Sequence, residues 1–153
     1  MASYTTNLNL KKPAGSENVA IGDINGNMDI IDTAYGSVNS ELTPKQVTYS
    51  IQTNFSLESW GSISIYVIAN MLVINVAGFK STNTLSTDTV CIKLTNITYQ
   101  RAGNAYGIVW NGSSKVGNVS IFDNNGNIYL NRVDGNNVCF FNLVLPLSSV
   151  TVS

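Results

Sequence analysis

The residues that could carry acid–base chemistry are few in this sequence and poorly arranged for it. There is no histidine, so the usual base of a hydrolytic triad and the usual general acid at neutral pH are both missing. Asp29 and Asp32 lie three residues apart, which fits a solvated helix flank better than a catalytic dyad. Glu58 lies beside Trp60, as in glycosidase clefts, but a lone carboxylate is not the required pair. The sequence therefore predicts a protein that is not an enzyme.

Metal ligands are also poorly supplied. Residues 23–29 approach a calcium-loop pattern, but the glycine stands at the fourth place instead of the sixth and no glutamate follows at the twelfth. Residues 123–127 are better explained as a hairpin turn. Cys91 and Cys139 lie in apolar runs without metal-ligand spacing, and we expect two buried free thiols in preference to a disulfide. No metal and no cofactor is predicted.

Aromatic side chains near predicted loops or strand ends could contact a saccharide. An aromatic face stacks on the CH groups of a sugar ring, and asparagine amides bond its hydroxyls. The alternative is that these aromatics are core residues at the edges of a sheet. The candidate glycan contacts are Trp60, Tyr99, Tyr106 and Trp110.

Composition excludes several partners. Charged residues make up 11% of the 153 residues and the net charge is −1, whereas about 25% is usual. The 8 Lys and Arg are scattered, which argues against nucleic-acid binding. No apolar stretch approaches the ~20 residues that cross a bilayer, so membrane insertion is not expected. The N-terminal residues lack the pattern of a secretory signal, which favours assembly in a cytoplasm.

One stretch has the periodicity of a helical bundle. Its apolar and aromatic side chains recur with steps of 3, 4, 3, 4, 3 and 4 residues, an a/d seam. The seam consists of Ile21, Ile24, Met28, Ile31, Tyr35, Val38 and Leu42. We expect an oligomerising helix over residues 16–42, with Ser16 as its N-cap, Glu17 in its first turn and Pro44 ending it.

The predicted helix needs partners. Gly22, Gly26 and Gly36 each cost roughly 1 kcal/mol relative to alanine, so the helix would be unstable alone in water. No other segment has helical periodicity of comparable length, so copies of the same chain are the expected partners. Isoleucine at both a and d, at Ile21 and Ile24, favours three strands or more. The sequence therefore predicts a homotrimeric bundle.

From residue 46 onwards the period changes to two, which predicts strands separated by turn signals. The strand candidates are residues 46–51, 62–68, 71–79, 89–94, 105–110, 116–122, 127–133 and 138–147. Their number and spacing favour an antiparallel β-sandwich, jelly-roll-like, over residues 46–153. The predicted fold class is mainly β: a short N-terminal helix in a homotrimeric bundle, followed by this head.

The N-terminal residues contain a motif that consists of Thr5, Asn7, Leu10, Lys12, Pro13, Gly15, Ile21, Ile24, Asn25, Asn27, Ile31 and Asp32. With these residues the segment resembles the attachment module of tail-fibre and minor structural proteins from phages that infect Gram-positive bacteria. Met28 stands where that pattern usually has phenylalanine. The resemblance implies a trimeric virion fibre whose residues 1–15 form an extended attachment segment and whose β head faces outwards. It also implies that Thr5, Asn7, Leu10, Lys12 and Pro13 contact other virion proteins.

We therefore expect a virion structural protein, a short trimeric fibre of the tail, baseplate or capsid, assembled in the host bacterial cytoplasm. The repeat shaft of most such fibres has no counterpart in the sequence. Its partners would be itself, other virion proteins and a host cell-surface glycan, without nucleic acid. One alternative is a bacterial carbohydrate-binding or adhesin module. The other is a small glycan hydrolase that uses Glu58.

Overall fold

Among the described residues, a helix ends at Leu42 and a long series of strands begins at Lys45. The computed structural model describes residues 3–15, 18, 20–112, 114–121, 123–135 and 137–153. In chain order its elements are β1 (Ser3–Tyr4), β2 (Lys11–Lys12), α1 (Ile21–Leu42), β3 (Lys45–Gln46), β4 (Tyr49–Ile51), β5 (Phe55–Ile68), β6 (Met71–Ser81), β7 (Thr89–Leu94), β8 (Ile97–Arg101), β9 (Ala105–Asn111), β10 (Ser114–Ile121), β11 (Asn127–Asn131) and β12 (Val138–Val152). The chain separates into two compact units, residues 1–43 (the N-terminal unit) and 44–153 (the β unit).

Helix α1 begins later than predicted. Ala20 has extended backbone angles (φ −78°, ψ 138°), and its carbonyl accepts the N–H groups of Asp23 and Ile24. The first turn therefore starts where the apolar seam starts, at Ile21, and not at Ser16. Ser16 and Glu17, which the sequence assigns to the N-cap and first turn, lie outside the described residues.

The C-terminal end of α1 agrees with the prediction. The helix ends at Leu42, and Thr43 is extended (φ −78°, ψ 120°). A residue before proline disfavours helical angles, and here that proline is Pro44. The backbone N–H and the hydroxyl of Thr43 both donate to the carbonyl of Asn39, which satisfies one of the free carbonyls of the last turn.

The segment predicted as extended forms a small hairpin within residues 3–12. Strand β1 pairs antiparallel with β2, with Ser3 opposite Lys12. Thr5 closes the turn, because its backbone exchanges hydrogen bonds with Leu10 and Asn9 and its hydroxyl accepts the Leu10 N–H at 2.8 Å. Asn9 supplies the left-handed angle (φ 52°) that the turn needs.

The β unit is one antiparallel sheet of ten strands. The hydrogen-bonded order is β3-β5-β6-β12-β9-β10-β11-β7-β4, and β8 pairs with the far end of β12. The sheet curls so that side chains from both ends of this path form one buried cluster. The prediction of a mainly β, antiparallel domain is confirmed. The order of the strands does not confirm the predicted β-sandwich or its jelly-roll-like topology.

Alternation along each strand places the core, as the sequence predicts. Ile65 on β5 and Leu72 and Ile74 on β6 are fully buried, and so are Ile121 and Ile128 across the β10–β11 turn. The β5–β6 connection is the two-residue turn Ala69–Asn70, with φ of 46° and 59°. Cys91 and Cys139 are buried and free, as predicted. Burial raises the pKa of both thiols, that of Cys139 to about 11, so both stay protonated at neutral pH.

Candidate binding surfaces

The apolar seam of α1 is uncovered in the single chain. All 22 residues of α1 are described, and none of them is buried. The seam residues Ile21, Ile24, Met28, Ile31, Tyr35, Val38 and Leu42 are each 47–76% exposed. A shallow hollow of about 420 Å³ is lined by Met28, Ile31, Asp32 and Tyr35. In coiled coils, four residues of one helix form the hole that receives a side chain of the partner helix.

A second face of α1 holds the hairpin. The side chain of Asn27 accepts the backbone N–H of Lys11 at 2.8 Å and donates to the Lys11 carbonyl at 2.9 Å. The Lys11 ammonium pairs with the Asp23 carboxylate at 2.7 Å. Asn27 therefore bonds to the backbone of Lys11 as a neighbouring strand would. Asp23, one helical turn earlier, binds the side chain of Lys11. Asn27 and Asp23 therefore have a structural role within the N-terminal unit, which does not require either residue to contact another protein.

Replacing Asn27 with alanine should release the hairpin from α1. Two hydrogen bonds are lost, each worth about 1 kcal/mol, while alanine is otherwise a better helix residue. We expect trypsin to cleave after Lys11 about ten times faster, measured by mass spectrometry of timed digests. Asn25→Ala, at an exposed site two residues earlier, is the control. Equal cleavage rates in the two variants would contradict the proposed role of Asn27.

The residues assigned to attachment by resemblance divide into two groups. Thr5 is structural, because its hydroxyl and backbone close the hairpin turn. Leu10 is half-buried and bonds to Thr5. Asn7 at the hairpin tip, Lys12 and Pro13 are exposed. The exposed group is therefore the one that remains available to another protein.

Three of the four predicted glycan contacts lie at the surface of the β unit. Trp60 is 59% exposed, Tyr106 is 70% exposed and Trp110 is 42% exposed. The Trp60 ring stacks on that of Phe140, with centroids 5.8 Å apart, and Phe140 is the strand partner of Trp110. The structure thus joins two aromatics that are 50 positions apart in the sequence through a third that sequence reasoning did not select.

Tyr99 is a correction. It lies in β8, which the sequence did not predict, and it is 2% exposed. Its hydroxyl donates to the backbone carbonyl of Asp123 at 3.3 Å, and burial is the main cause that raises the pKa of Tyr99 to about 12. Alternation turns this ring into the core while Thr98 and Gln100 face outwards. The prediction of a glycan contact at Tyr99 is therefore wrong.

Two clefts open on either side of Tyr106 and Gly107. The polar cleft has a volume of about 480 Å³. Its walls include Asp88, Tyr106, Asn118, Ser120, Asn131 and Arg132. The aromatic cleft has a volume of about 380 Å³, and its walls include Tyr106, Ile108, Trp110, Phe140 and Asn142. The clefts adjoin because both are lined by Tyr106 and Gly107.

Asparagines on neighbouring strands give the polar cleft and its surroundings an amide surface. On one side Asn75 of β6 is opposite Asn142 of β12, and on the other Asn118 of β10 is opposite Asn131 of β11. Outward positions of a strand recur every second residue, and Asn75, Asn118 and Asn142 each lie between two buried neighbours. The alternation was visible in the sequence, but the pairing of β12 with β6 was not.

The carboxylates singled out by the sequence belong to different units, Glu58 to the β unit and Asp29 and Asp32 to the N-terminal unit. Glu58 forms an ion pair with Lys80, with oxygen and nitrogen 2.8 Å apart, although Ser56 is the residue directly opposite Lys80 in the β5–β6 pairing. Asp29 and Asp32 are exposed on α1. Within the described residues there is no group of three or more metal-ligating side chains. Among the same residues, no helix has both the length and the apolar character needed to cross a membrane.

The carboxylate of Asp123 organises the loop between β10 and β11. It accepts the Tyr129 hydroxyl at 2.7 Å, the Asn127 amide at 3.1 Å and the Asn125 backbone N–H at 3.0 Å. Partial burial by itself would raise the pKa of Asp123, but these hydrogen bonds outweigh burial and hold the pKa below its ordinary value. The carboxylate thus satisfies donors of its own loop, and the predicted hairpin turn is confirmed.

Acidification should weaken this loop. The pKa of Asp123 is lower in the folded protein than in the unfolded chain, where it is about 3.9. The ionised carboxylate therefore stabilises the fold fully above pH ~3.9, and this stabilisation is lost as the pH falls through the folded pKa. Asp123→Asn should therefore unfold at a lower temperature than the wild type near neutral pH. The difference should shrink towards about pH 2 in thermal denaturation. A difference that stays constant over this range would contradict the stabilising role of the carboxylate.

This sequence matches no protein-family model and no curated protein. Among solved structures, the receptor binding protein gp15 of Listeria phage PSA is similar to it, with a TM-score of 0.49 and 14% sequence identity. The similarity covers 89% of this chain and 82% of that chain. A likeness of this size supports no conclusion about function. The resemblance of the N-terminal residues to phage fibre proteins therefore depends on the residues themselves.

Proposed function

We propose that this protein is a structural component of a bacteriophage virion, a short homotrimeric fibre that displays its β unit. The observation that carries the proposal is the uncovered heptad seam of α1, whose seven side chains are 47–76% exposed in one chain. A helix of 22 residues spans about 33 Å, enough for three heptads of contact with other helices. Three copies burying this seam around a threefold axis would cover it.

Helical propensity supports the same proposal. With Gly22, Gly26 and Gly36 all exposed, α1 has little intrinsic stability as a lone helix. Ala20 at its N-cap makes no side-chain cap hydrogen bond, and none of the 22 helix residues is buried in the single chain. Assembly of three chains would supply those contacts, so folding of the N-terminal unit and association would be one event.

Attachment to the particle would use the N-terminal unit. The hairpin of β1 and β2 is fixed to α1 by Asn27 and Asp23, so a bundle of three helices would present three hairpins of defined orientation. Exposed Asn7, Lys12 and Pro13 would meet another virion protein of the tail, baseplate or capsid. The low net charge of −1 favours packing through apolar and amide contacts over electrostatic docking.

The β unit would then face the host surface without catalysing a reaction. Exposed Trp60, Tyr106 and Trp110 form the aromatic part of its outer face. The Glu58 carboxylate forms an ion pair with Lys80. This arrangement favours binding over hydrolysis, because hydrolysis of a glycosidic bond requires a second positioned carboxylate.

The alternative function is a bacterial carbohydrate-binding or adhesin module. It is favoured by the fact that every residue of both clefts belongs to the β unit. In that case the seam of α1 would be dispensable for function. A seam variant that remained monomeric and still adhered to cells as strongly as the wild type would favour the alternative.

Imaging of the assembled particle by electron cryomicroscopy tests the proposed function. We expect three copies around a threefold axis, with the β1–β2 hairpins in contact with a different virion protein. Particles purified to homogeneity that lack this chain would contradict the proposal, and so would hairpins that contact only solvent.

A further inference from the structure

We infer that the polar cleft and the aromatic cleft form a single binding site for a neutral oligosaccharide, with one sugar ring in each cleft and Tyr106 between them. The site rests on the proposed function of the protein as a fibre that displays its β unit. It adds the class of ligand that the displayed β unit would bind. The site uses Tyr106 and Trp110 but centres on asparagines, and it excludes Tyr99.

The size and charge of the clefts define the ligand. Volumes of about 480 and 380 Å³ are each within the ~300–1,000 Å³ usual for ligand sites, and together they suit more than one ring. The charged residues that line the two clefts are Asp88 and Arg132, which have opposite signs. A strongly charged ligand therefore gains little net attraction, whereas a neutral polyhydroxyl ligand can bond to both groups.

The polar cleft offers the hydrogen bonds that sugar hydroxyls require. Asn118 and Asn131 are paired across β10 and β11, and each amide presents both donors and acceptors, as a hydroxyl does. The Oδ1 atom of Asn131 is buried and has no hydrogen-bond partner among the described residues. A buried acceptor without a partner is costly and unusual in a folded protein. Asn131 lines the polar cleft, and χ2 of an asparagine is a soft torsion, so its amide can reorient when a ligand hydroxyl is present.

The backbone next to Asn131 also points to a built site. Arg132 has φ of 58°, a left-handed conformation that an arginine adopts only where its surroundings enforce it. This conformation follows directly on the last residue of β11 and places Arg132 in the wall of the polar cleft. Strained residues of this kind concentrate at ligand sites.

Tyr106 is exposed yet held in place, which suits a stacking platform. Its hydroxyl accepts the side-chain amide of Asn104 at 3.0 Å, and the Asn104 carbonyl oxygen in turn accepts the guanidinium of Arg101. The ring is thereby oriented before any ligand arrives, so less conformational entropy is lost on binding. Trp110 and Phe140, adjacent across β9 and β12, provide the apolar walls of the aromatic cleft.

Saturation-transfer NMR and calorimetry on the full chain test the inference. The probes are glucose, galactose, rhamnose, N-acetylglucosamine and their neutral di- and trisaccharides. We expect at least one of them to bind, and a trisaccharide to bind more tightly than its monosaccharide. Asn118→Ala and Tyr106→Ala should each lower the affinity about tenfold or more, and Tyr106→Phe should stay within about threefold because the ring is retained.

Asn125→Ala is the matched control, since Asn125 is an exposed asparagine of the same unit outside both clefts. Absence of binding by every probe overturns the inference, and so does binding that is unchanged in Asn118→Ala and Tyr106→Ala. The molar mass of the protein in the same solution distinguishes the proposed trimeric fibre from the proposed saccharide site. A trimer that binds no probe contradicts only the saccharide site, whereas a monomer that binds contradicts only the trimeric fibre.

Discussion

If α1 forms the proposed trimer, Ile31→Asp will convert it into monomers and abolish most of the helical signal of α1. Ile31 lies at the centre of the seam and lines the hollow beside Met28 and Tyr35. In the proposed trimer, three aspartates would be buried around one axis without cations to pair with them. Each unpaired buried charge costs several kcal/mol, which exceeds what a seam of three heptads can offset. Far-UV circular dichroism and light scattering at micromolar concentration measure the two losses.

Ser40→Asp is the charge-matched control for this variant. Ser40 is exposed on α1 and lies outside the seam, so the same aspartate meets water. We expect the Ser40→Asp protein to keep its mass and its helical signal. If Ile31→Asp behaved like Ser40→Asp, the seam would not be the interface.

Gly78→Ala will destabilise the β unit by about 3 kcal/mol and lower its Tm by roughly 10 °C. Gly78 has φ of 68°, which costs an alanine about 1–2 kcal/mol. A Cβ atom there would lie 2.7 Å from the Cα of Gly61 and 3.1 Å from Cζ3 of Trp60, and overpacking adds about 1–3 kcal/mol. Thermal unfolding measures the loss, and tryptophan fluorescence should report the displacement of Trp60.

Gly112→Ala separates strain from contact. Gly112 also has a left-handed angle (φ 57°), but nothing lies within 4 Å of a Cβ placed there. We expect only the strain cost of about 1–2 kcal/mol and unchanged fluorescence. If Gly78→Ala and Gly112→Ala destabilised the β unit equally, the close contact of Gly61 and Trp60 with Gly78 would not contribute to the loss of stability.

The seam was predictable because its information is local. Steps of three and four residues specify one helix face without knowledge of the rest of the fold. The start of α1 was not predictable from Ser16, because the apolar face and not a capping side chain determines the first turn at Ile21. Strand β7 was predicted with its exact bounds, Thr89–Leu94, since turn residues flank a short apolar run.

The errors in the β unit arise from long-range pairing. Strand β8 (Ile97–Arg101) is not among the strands that the sequence predicts, and Tyr99 is therefore expected near a loop or strand end. Its buried position depends on pairing with the far end of β12, about 50 residues later. The aromatic cleft depends likewise on the pairing of Phe140 with Trp110. A period of two predicts which residues share a face, but not which strands become neighbours.

The mass of the full chain in solution tests the central claim most directly. Multi-angle light scattering at micromolar concentration should give about three times the 16.5 kDa of one chain, and dilution should not change it until the helical signal is also lost. A stable 16.5 kDa monomer that retains the circular dichroism of a folded α1 would contradict the trimeric fibre.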